Sequence, residues 1–290
     1  MINLVVLNYN DYETTSHLVD LIKDYRILDK IIITDNQSTD DSYEKLCALR
    51  SDRIDVIQAP ENRGYGSGNN FGIRYALETY HPDYIIISNP DVEFEEKTVK
   101  ELYKQAQKID NLGTISCRMN CLSTIALEPG WRFPKYLDFL LDYIYPIGKL
   151  WEKLRAYKLD GRNGDLIEVD IVHGSFFMVS ADAVADAGGF DDRTFLYCEE
   201  DMFAARLHQK GYHNYLLLTE EYIHRHSVSI NKSISSVKSR LDLRQESREL
   251  YCTHYLHTGT GAIKLLRFFY YIWLSEYLVL VQLRKLKKLF

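Results

Sequence analysis

Carboxylates occur at three places in the sequence where they could form a catalytic or metal-binding site. Glu199, Glu200 and Asp201 are adjacent at the start of a segment with helical periodicity, and Asp35 and Asp91 each follow an apolar run. A carboxylate can remove a proton from a hydroxyl or bind a divalent cation. Acidic residues at a helix start also stabilise the helix dipole, so the cluster alone does not establish a site.

Asp91 follows the most clearly predicted strand, in the sequence YIIISNPDVE at 84–93. The apolar run at 84–88 predicts a strand buried on both faces, and Pro90 ends it because proline has no N–H. Ligands of open α/β sheets bind at the carboxyl ends of strands, where Asp91 is expected. The alternative is that residues 89–91 form only a polar turn.

Alternating strands and helices predict the fold class. Apolar runs alternate with helical patterns in the order strand 2–7, helix 12–25, strand 30–34, a helix through Leu46 and Leu49, strand 54–58, helix 71–80 and strand 84–88. This alternation predicts an α/β fold with a mostly parallel, Rossmann-like sheet flanked by helices. Because the carboxyl ends of parallel strands meet on one rim, we expect Asp35 and Asp91 on the same side of the sheet.

The segment 59–70, APENRGYGSGNN, is rich in glycine and asparagine and predicts a loop before the helix at 71–80. Glycine lets a backbone approach a ligand closely, so this loop could border a nucleotide or a sugar. A turn without a ligand is the alternative. No Gly-Lys-Ser/Thr follows, which excludes a P-loop, and the third glycine of a dinucleotide fingerprint is missing.

Residues 120–164 predict an insertion with aromatic-rich pieces between prolines. Trp131 and Arg132 could stack on a sugar ring or bind its hydroxyls, and a buried aromatic cluster is the alternative. Regular structure returns at 168–179 as two short strands around His173 and Gly174. A helix at 181–187 then ends at a glycine pair, which is a common helix end.

Composition bounds the function classes. The 290 residues carry a formal net charge of −6, which gives little support to nucleic-acid binding. The five cysteines show no paired metal-site spacing, and their odd number argues against a disulfide framework. A reducing, cytoplasmic setting fits best. The first residues run directly into a strand-like segment, so we expect no secretory signal. Residues 264–290 hold six basic residues against Glu276 and are therefore +5, which leaves −11 for the rest.

This basic tail has an apolar centre. Residues 268–283 form a run of 16, short for a membrane span of about 20 residues, and Glu276 interrupts it. The pattern predicts an amphipathic helix lying on an anionic membrane surface. The alternative is a helix packed on the catalytic domain or on a second copy of the chain.

Taken together, the motifs resemble family 2 glycosyltransferases, which are inverting enzymes of the GT-A fold, and most closely the rhamnosyltransferase-like members of bacterial polysaccharide synthesis. The matching motifs are VVLNYN at 5–10, TDNQSTD at 34–40, ENRGYGSGNNFGI at 61–73, NPDV at 89–92, HGSFFMV at 173–179, GGFDDRTFLYCEED at 188–201 and IHRHSVS at 223–229. The resemblance covers about three quarters of the chain in the family's order.

The resemblance implies a nucleotide-sugar donor site and a divalent cation, Mn²⁺ or Mg²⁺. The residues it assigns to the donor are Asn8, Tyr9, Asn10, Asp35, Asn36, Asn62, Gly64, Asn69, Asn70 and Asn89. Asp91 would bind the cation at the family's DxD position, where Asn89 replaces the first aspartate and removes one anionic ligand. His224 would lie beside the metal or the diphosphate, with His226 as the alternative.

The resemblance also assigns the catalytic base. The family's spacing to Arg206 gives Glu200, with Asp201 as the rival and Glu199 as the preceding acid, because the tripeptide leaves the register open by one residue. The base would take the proton of the acceptor hydroxyl, which displaces the nucleoside diphosphate with inversion. The residues implied for the acceptor are Trp131, Arg132, His173 and Gly174.

These assignments predict a catalytic domain at 1–228, with a donor-binding half at 1–92 and an acceptor-binding half at 93–228, and a helical, membrane-associating region at 229–290. The implied donor is dTDP-rhamnose first and a UDP-hexose next, and the acceptor is a glycan or a lipid-diphosphate-linked saccharide. We expect a peripheral protein on the cytoplasmic face of the plasma membrane, or a homodimer through the same tail. A non-catalytic nucleotide-sugar-binding or scaffold protein is the alternative function.

Overall fold

The computed structural model of the chain describes residues 1–121, 129–157, 159, 164–225 and 236–287, which form a nine-stranded sheet flanked by helices. The strands are β1 (Ile2–Asn8), β2 (Lys30–Asp35), β3 (Ile54–Gln58), β4 (Tyr84–Ser88), β5 (Val92–Glu93), β6 (Leu112–Cys121), β7 (Gly130–Trp131), β8 (Leu166–Val169), β9 (Ile171–Val172), β10 (Phe176–Ser180) and β11 (His213–His224). The helices are α1 (Tyr12–Ile22), α2 (Ser42–Cys47), α3 (Tyr65–Tyr80), α4 (Glu96–Ala106), α5 (Tyr136–Leu141), α6 (Ile147–Arg155), α7 (Ala181–Ala187), α8 (Glu199–Gln209), α9 (Val237–His254) and α10 (Thr260–Lys287).

The first half of the sheet is parallel, as the sequence predicts. Strands β3, β2, β1 and β4 lie side by side in that order, all in one direction. Leu4 of β1 shares a core with Leu18 of α1 on one face, and Val5 shares a second core with Ile73 of α3 on the other. Burial on both faces explains why these strands appear in the sequence as continuous apolar runs.

Beyond β4 the sheet becomes mixed. Strand β10 is antiparallel to both β4 and β6, whereas β6 and β11 are parallel. The short strands β8 and β5 pair antiparallel with successive parts of β11. The pairing of β5 with β11 sets His224 opposite Val92. The end of β11 therefore lies beside the loop that follows β4.

Helix α3 begins at Tyr65, six residues before the predicted start, so part of the predicted glycine-rich loop is helical. The reason is close packing of this helix on the sheet. A Cβ atom at Gly68 would lie 2.6 Å from Cδ1 of Leu7 in β1 and 2.9 Å from Oδ1 of Asn36. Glycine in this segment therefore lets a helix approach the sheet, which a pattern of local turn preferences does not reveal.

The C-terminal helices pack on the rest of the chain. Tyr251 of α9 and Leu266 of α10 are buried in one apolar cluster with Phe139 of α5 and Met202 of α8. This contact matches the alternative interpretation of the tail as a packed helix, for one of its faces. The predicted division at residue 228 stays a prediction, because residues 226–235, including His226, lie outside the described residues.

The opposite face of α10 is also apolar, but it is exposed. Its exposed large apolar side chains are Leu265, Phe268, Tyr271, Ile272, Val279 and Leu280. Helix α6 has a similar exposed stripe at Ile147, Leu150 and Leu154. Over the part of the chain that the structure describes, no helix is long and apolar enough to cross a membrane.

Candidate active site

Asp35 lies fully buried at the end of β2, where four hydrogen bonds hold its carboxylate. Asn8 Nδ2 donates at 2.9 Å, Ser38 donates from its backbone N at 3.0 Å and from Oγ at 2.5 Å, and Gln58 Nε2 donates at 3.1 Å. Asn8 and Asp35 are direct register partners in the parallel pair of β1 and β2. Asp35 therefore orders the loop at the rim of the sheet where a nucleotide is predicted.

A second group of predicted donor residues forms a ledge beside Asp35. The Asn36 amide donates to Oδ1 of Asn62 at 3.0 Å and to the carbonyl of Gly64 at 3.3 Å. Gly64 has φ 99°, and a Cβ atom there would lie 2.0 Å from the Phe195 carbonyl oxygen. Only glycine fits this position. The ledge therefore packs closely against the backbone of Phe195, in the segment before α8.

Asn10 and Tyr9 follow β1 on the same rim. Asn10 has φ 51°, a conformation that asparagine tolerates better than most residues. Its Oδ1 accepts from the Thr39 backbone N at 2.7 Å, and its Nδ2 donates to Thr39 Oγ1 at 3.1 Å. These bonds join the loops after β1 and β2. Tyr9 is half-buried beside them.

Asp91 and His224 form the second corner of the site. Both side chains are buried, and Nε2 of His224 lies 3.4 Å from Oδ1 of Asp91. The backbone N of Arg225 donates to the Asp91 carbonyl at 2.9 Å, which continues the pairing of β5 with β11. Among the described residues, no group of three or more histidine, cysteine or carboxylate side chains could hold a metal ion. Asp91 and His224 therefore offer a pair of donor atoms.

The three adjacent carboxylates lie in the first turn of α8, in different environments. Glu199 is buried, and burial together with the Glu200 charge raises its pKa well above the usual value. Burial raises the pKa of Glu200 to about 7, and the charge of Asp201 contributes. Burial also raises the pKa of Asp201, against a hydrogen bond of 2.8 Å from Trp131 Nε1. Of the three, Glu200 is the only one that is partly rather than fully buried.

The chain enters α8 through two strained residues. Tyr197 has φ 76° and Cys198 has φ 60°, and neither is glycine, asparagine or aspartate. Such left-handed backbone costs of order 1–3 kcal/mol per residue and occurs often at functional sites. This left-handed turn leads into the first turn of α8, where Glu200 adjoins Gly174 and Asp201 adjoins Trp131.

His173 connects the corner formed by Asp91 and His224 to the carboxylates of α8. Its ring lies 5.5 Å from the His224 ring and 6.0 Å from the Trp131 ring, in edge contacts. Its Nδ1 is 2.9 Å from Oγ of Ser175, which in turn is 2.8 Å from the hydroxyl of Tyr222. A row of contacts therefore runs from Asp91 through both histidines and Trp131 to Asp201.

Gly174 and Tyr65 adjoin Glu200 directly. A Cβ atom on Gly174 would lie 2.5 Å from Oε1 of Glu200, and the Tyr65 hydroxyl donates to the Gly174 carbonyl at 2.8 Å. Burial raises the pKa of Tyr65 well above its usual value, and the charges of Glu200, Glu199 and Asp91 raise it further. The sequence reasoning did not select Tyr65, Ser175 or Tyr222, since no local signal relates them to residues so distant in the chain.

Three predicted site residues have other contacts. The Asn70 amide accepts from the Phe190 backbone N at 2.8 Å and donates to its carbonyl at 2.9 Å, which fixes α3 against that segment. Asn69 is buried and donates to the Tyr65 carbonyl at 3.1 Å. Arg132 is exposed and lies over the Tyr157 ring at 4.5 Å. Their roles toward donor or acceptor stay predictions.

Comparison with known proteins identifies the family. The sequence profile of glycosyl transferase family 2 matches residues 4–187, which is more than half of the chain. Curated relatives match at low identity. The low-salt glycan biosynthesis hexosyltransferase Agl10 of Haloferax volcanii is 26% identical over 244 residues, which are 84% of this chain and 73% of the relative.

The second relative is the N-acetylglucosaminyl-diphospho-decaprenol L-rhamnosyltransferase of Mycobacterium tuberculosis. It is 22% identical over 216 residues, covering 71% of this chain and 69% of the relative. Among solved structures, the mannosyltransferase PcManGT from Pyrobaculum calidifontis, in complex with GDP-Man and Mn²⁺, superposes with a TM-score of 0.58 at 14% identity. The superposition covers 91% of this chain and 67% of that one. The chain therefore belongs to glycosyl transferase family 2 and has the GT-A fold.

Proposed function

We propose that this chain transfers a sugar from a nucleoside-diphosphate donor to a hydroxyl of a glycan or lipid-diphosphate-linked saccharide, with inversion and with a divalent cation. The observation that carries the proposal is the row of contacts from Asp91 and His224 through His173 and Trp131 to Asp201. It joins a corner suited to a diphosphate with carboxylates suited to a base.

Asp91 and His224 suit the cation, Mn²⁺ or Mg²⁺. Two ligand atoms that each lie about 2.1 Å from a cation are roughly 3 Å apart when they occupy neighbouring positions. The separation of 3.4 Å between Nε2 and Oδ1 is close to that value. Imidazole favours Mn²⁺ over Mg²⁺. The bound cation would neutralise charge that develops on the leaving diphosphate.

Glu200 is the proposed base. Glu200 is the least buried of the three and adjoins Gly174, whereas Glu199 is buried and Asp201 is buried and accepts from Trp131. In the proposed step Glu200 takes the hydroxyl proton, the hydroxyl oxygen bonds to the anomeric carbon, and the bond from that carbon to the diphosphate oxygen breaks. A pKa of about 7 keeps a substantial fraction of Glu200 ionised at neutral pH.

The donor residues at the rim of the sheet would hold the nucleoside. Asn36 and Asn62 form the ledge beside Asp35, and Asn8 of β1 donates to the Asp35 carboxylate. We place dTDP-rhamnose first among candidate donors and a UDP-hexose second, on the resemblance to rhamnosyltransferases. The acceptor class follows the name of the mycobacterial relative, which describes a diphosphate-linked lipid.

The exposed apolar face of α10 supports attachment to the cytoplasmic face of the plasma membrane. The apolar residues Leu265, Phe268 and Ile272 lie on the face opposite the buried Leu266 and Tyr270. Basic residues at 284–288 follow in the sequence and would attract anionic lipid headgroups. A second copy of the chain is the other occupant that this face could accept.

One experiment tests the reaction. Purified protein is incubated with candidate nucleotide sugars, Mn²⁺ and a lipid-diphosphate-linked saccharide, and the anomeric configuration of the product is read by NMR. We expect a product with inverted configuration and equimolar release of nucleoside diphosphate. Stabilisation by a donor without transfer to any acceptor would favour the alternative of a non-catalytic nucleotide-sugar-binding protein.

A further inference from the structure

Helix α9 carries three arginines on one face, four residues apart. Arg248 is buried, donates to the Tyr143 hydroxyl at 3.0 Å and to Asp142 Oδ2 at 2.5 Å, and its guanidinium lies 5.1 Å from the Phe139 ring. Arg240 and Arg244 precede it by two turns and one turn. We call residues 240, 244 and 248 the arginine face. Its members Arg244 and Arg248 contact aromatic rings of α10 and of the segment that includes α5.

Arg244 differs from Arg248 in its ionic contacts. Its guanidinium lies 6.0 Å from the Trp273 ring, and among the described residues no carboxylate lies within ion-pair distance of it. Burial, followed by the charge of Arg248, lowers the pKa of Arg244, and the charge of Asp142 raises it, but the Asp142 carboxylate forms its ion pair with Arg248. An anion bound here would therefore stabilise the partly buried cation of Arg244.

The arginine face borders the start of α8. Burial raises the pKa of Tyr197, the charges of Arg244 and Arg240 lower it, and the charge of Glu199 raises it. Burial raises the pKa of Tyr65, by contrast, and the charges of Glu200, Glu199 and Asp91 raise it further. The charge of Glu199 raises the pKa of both tyrosines. Ser247 Oγ of α9 donates to the Leu196 carbonyl at 2.7 Å, and Met202 of α8 is buried in one cluster with Tyr251 of α9. The first turn of α8 therefore adjoins α9 on one side, and on the other Asp201 is connected to the Asp91 corner through Trp131 and the two histidines.

We propose that the arginine face, with Arg244 at its centre, binds the diphosphate of a lipid-linked acceptor. This inference rests on the proposed function and names the acceptor group that the site recognises. A guanidinium presents a planar set of donors that matches phosphate oxygens. The Asp91 corner is the proposed site of the donor diphosphate, so the arginine face supplies a second anion site across the carboxylates.

The surroundings of Arg244 suit a lipid diphosphate in particular. Trp273, which Arg244 contacts, belongs to α10, and the outer face of that helix is apolar and exposed. A prenyl chain attached to a diphosphate at Arg244 could continue along this face. A sugar on the other phosphate would then extend toward Glu199 and Glu200. The acceptor hydroxyl is needed at those carboxylates.

The test measures anion binding without relying on activity. Full-length protein in EDTA is titrated calorimetrically with farnesyl diphosphate and, separately, with inorganic pyrophosphate. We expect Arg244→Gln to bind farnesyl diphosphate at least tenfold more weakly than the native protein, and Arg244→Lys to lie between them. Arg74→Gln, the same change at an exposed arginine of α3, should leave binding unchanged. Unchanged melting temperatures would show that each variant is folded.

Several results would overturn the inference. Either of two results refutes the proposed site: the native protein does not bind farnesyl diphosphate at all, or Arg244→Gln binds it as tightly as the native protein does. A third such result is that Arg244→Gln loses Mn²⁺-dependent binding of a nucleoside diphosphate. The last result would assign the arginines to the donor. Failure of the native protein to transfer sugar would refute the proposed reaction, whereas the farnesyl diphosphate result concerns the anion site alone. The two proposals can therefore fail independently.

Discussion

The Nε2 atom of His224 lies 3.4 Å from Oδ1 of Asp91, and the two side chains are brought together by the antiparallel pairing of β5 with β11. One residue follows a central strand and the other ends a strand at the far side of the sheet. The contact between the two side chains therefore depends on the strand order of the whole sheet. An oxygen and a nitrogen atom that could bind a cation thus lie together at the rim of the sheet, where the diphosphate of the sugar donor is proposed to bind.

We expect Asp91→Asn to weaken Mn²⁺-dependent binding of a nucleoside diphosphate by tenfold or more, about 1.4 kcal/mol. The amide retains the shape of the side chain but removes the anionic ligand. Calorimetric titration in Mn²⁺ and in EDTA measures the effect. Asp182→Asn, at an exposed aspartate of α7, is the matched control. Equal affinities of native protein and Asp91→Asn in Mn²⁺ would refute the metal assignment.

Glu200→Gln should retain donor binding and lose sugar transfer by about 10²–10⁴-fold, since an amide cannot take the acceptor proton. In the native protein, transfer should rise with pH and level off above about 7, because the base must be ionised. Steady-state rates between pH 5 and 9 measure the profile. Asp201→Asn is the comparison, and a larger loss there would make Asp201 the base.

The same pKa predicts a pH-dependent stability. Burial raises the pKa of Glu200 from 4.5 to about 7, so the folded state binds more protons than the unfolded state between these values. Stability from this group is therefore present at low pH and is lost as pH rises toward 7. Glu200→Gln should be more stable than the native protein at pH 8, by roughly 1–3 kcal/mol, and should lose that advantage near pH 4. Thermal unfolding at both pH values tests the sign.

Gly174→Ala should reduce transfer while the protein remains folded. The added methyl group would lie 2.5 Å from Oε1 and 2.9 Å from Cγ of Glu200, so the glutamate side chain must move. Its movement is inexpensive for the fold but displaces the proposed base. Rate and melting temperature are measured together. Gly261→Ala, where a Cβ atom has open space, is the control and should change neither.

The parallel half of the fold was predictable because its strands are buried on both faces. The runs at β1, β2 and β4 are nearly continuous in apolar residues, and strands of a parallel sheet end on one rim. The shared position of Asp35 and Asp91 followed from that geometry alone. The adjacent acids of α8 were visible as residues, but their different burial depends on contacts such as that between Asp201 and Trp131.

The remaining site could not be derived from local patterns. The antiparallel strand β10 enters between β4 and β6, and this insertion brings His173 and Gly174 to the rim. No periodicity reports which distant strands will pair. The early start of α3, which carries Tyr65 to Gly174, depends on close packing against the sheet. His224 was identified by resemblance to the family, because its sequence neighbourhood does not indicate Asp91.

Binding to an anionic membrane should depend on the outer face of α10. Ile272 is 43% exposed on this face, and a glutamate there would bring charge to the headgroup boundary without disturbing the buried Leu266 and Tyr270. We expect Ile272→Glu to reduce co-sedimentation with phosphatidylglycerol vesicles several-fold. Leu21→Glu is the matched control, since Leu21 is 42% exposed on α1. If both variants sediment like the native protein, while Ile272→Glu separates a dimer in analytical ultracentrifugation, the face binds a second copy of the chain.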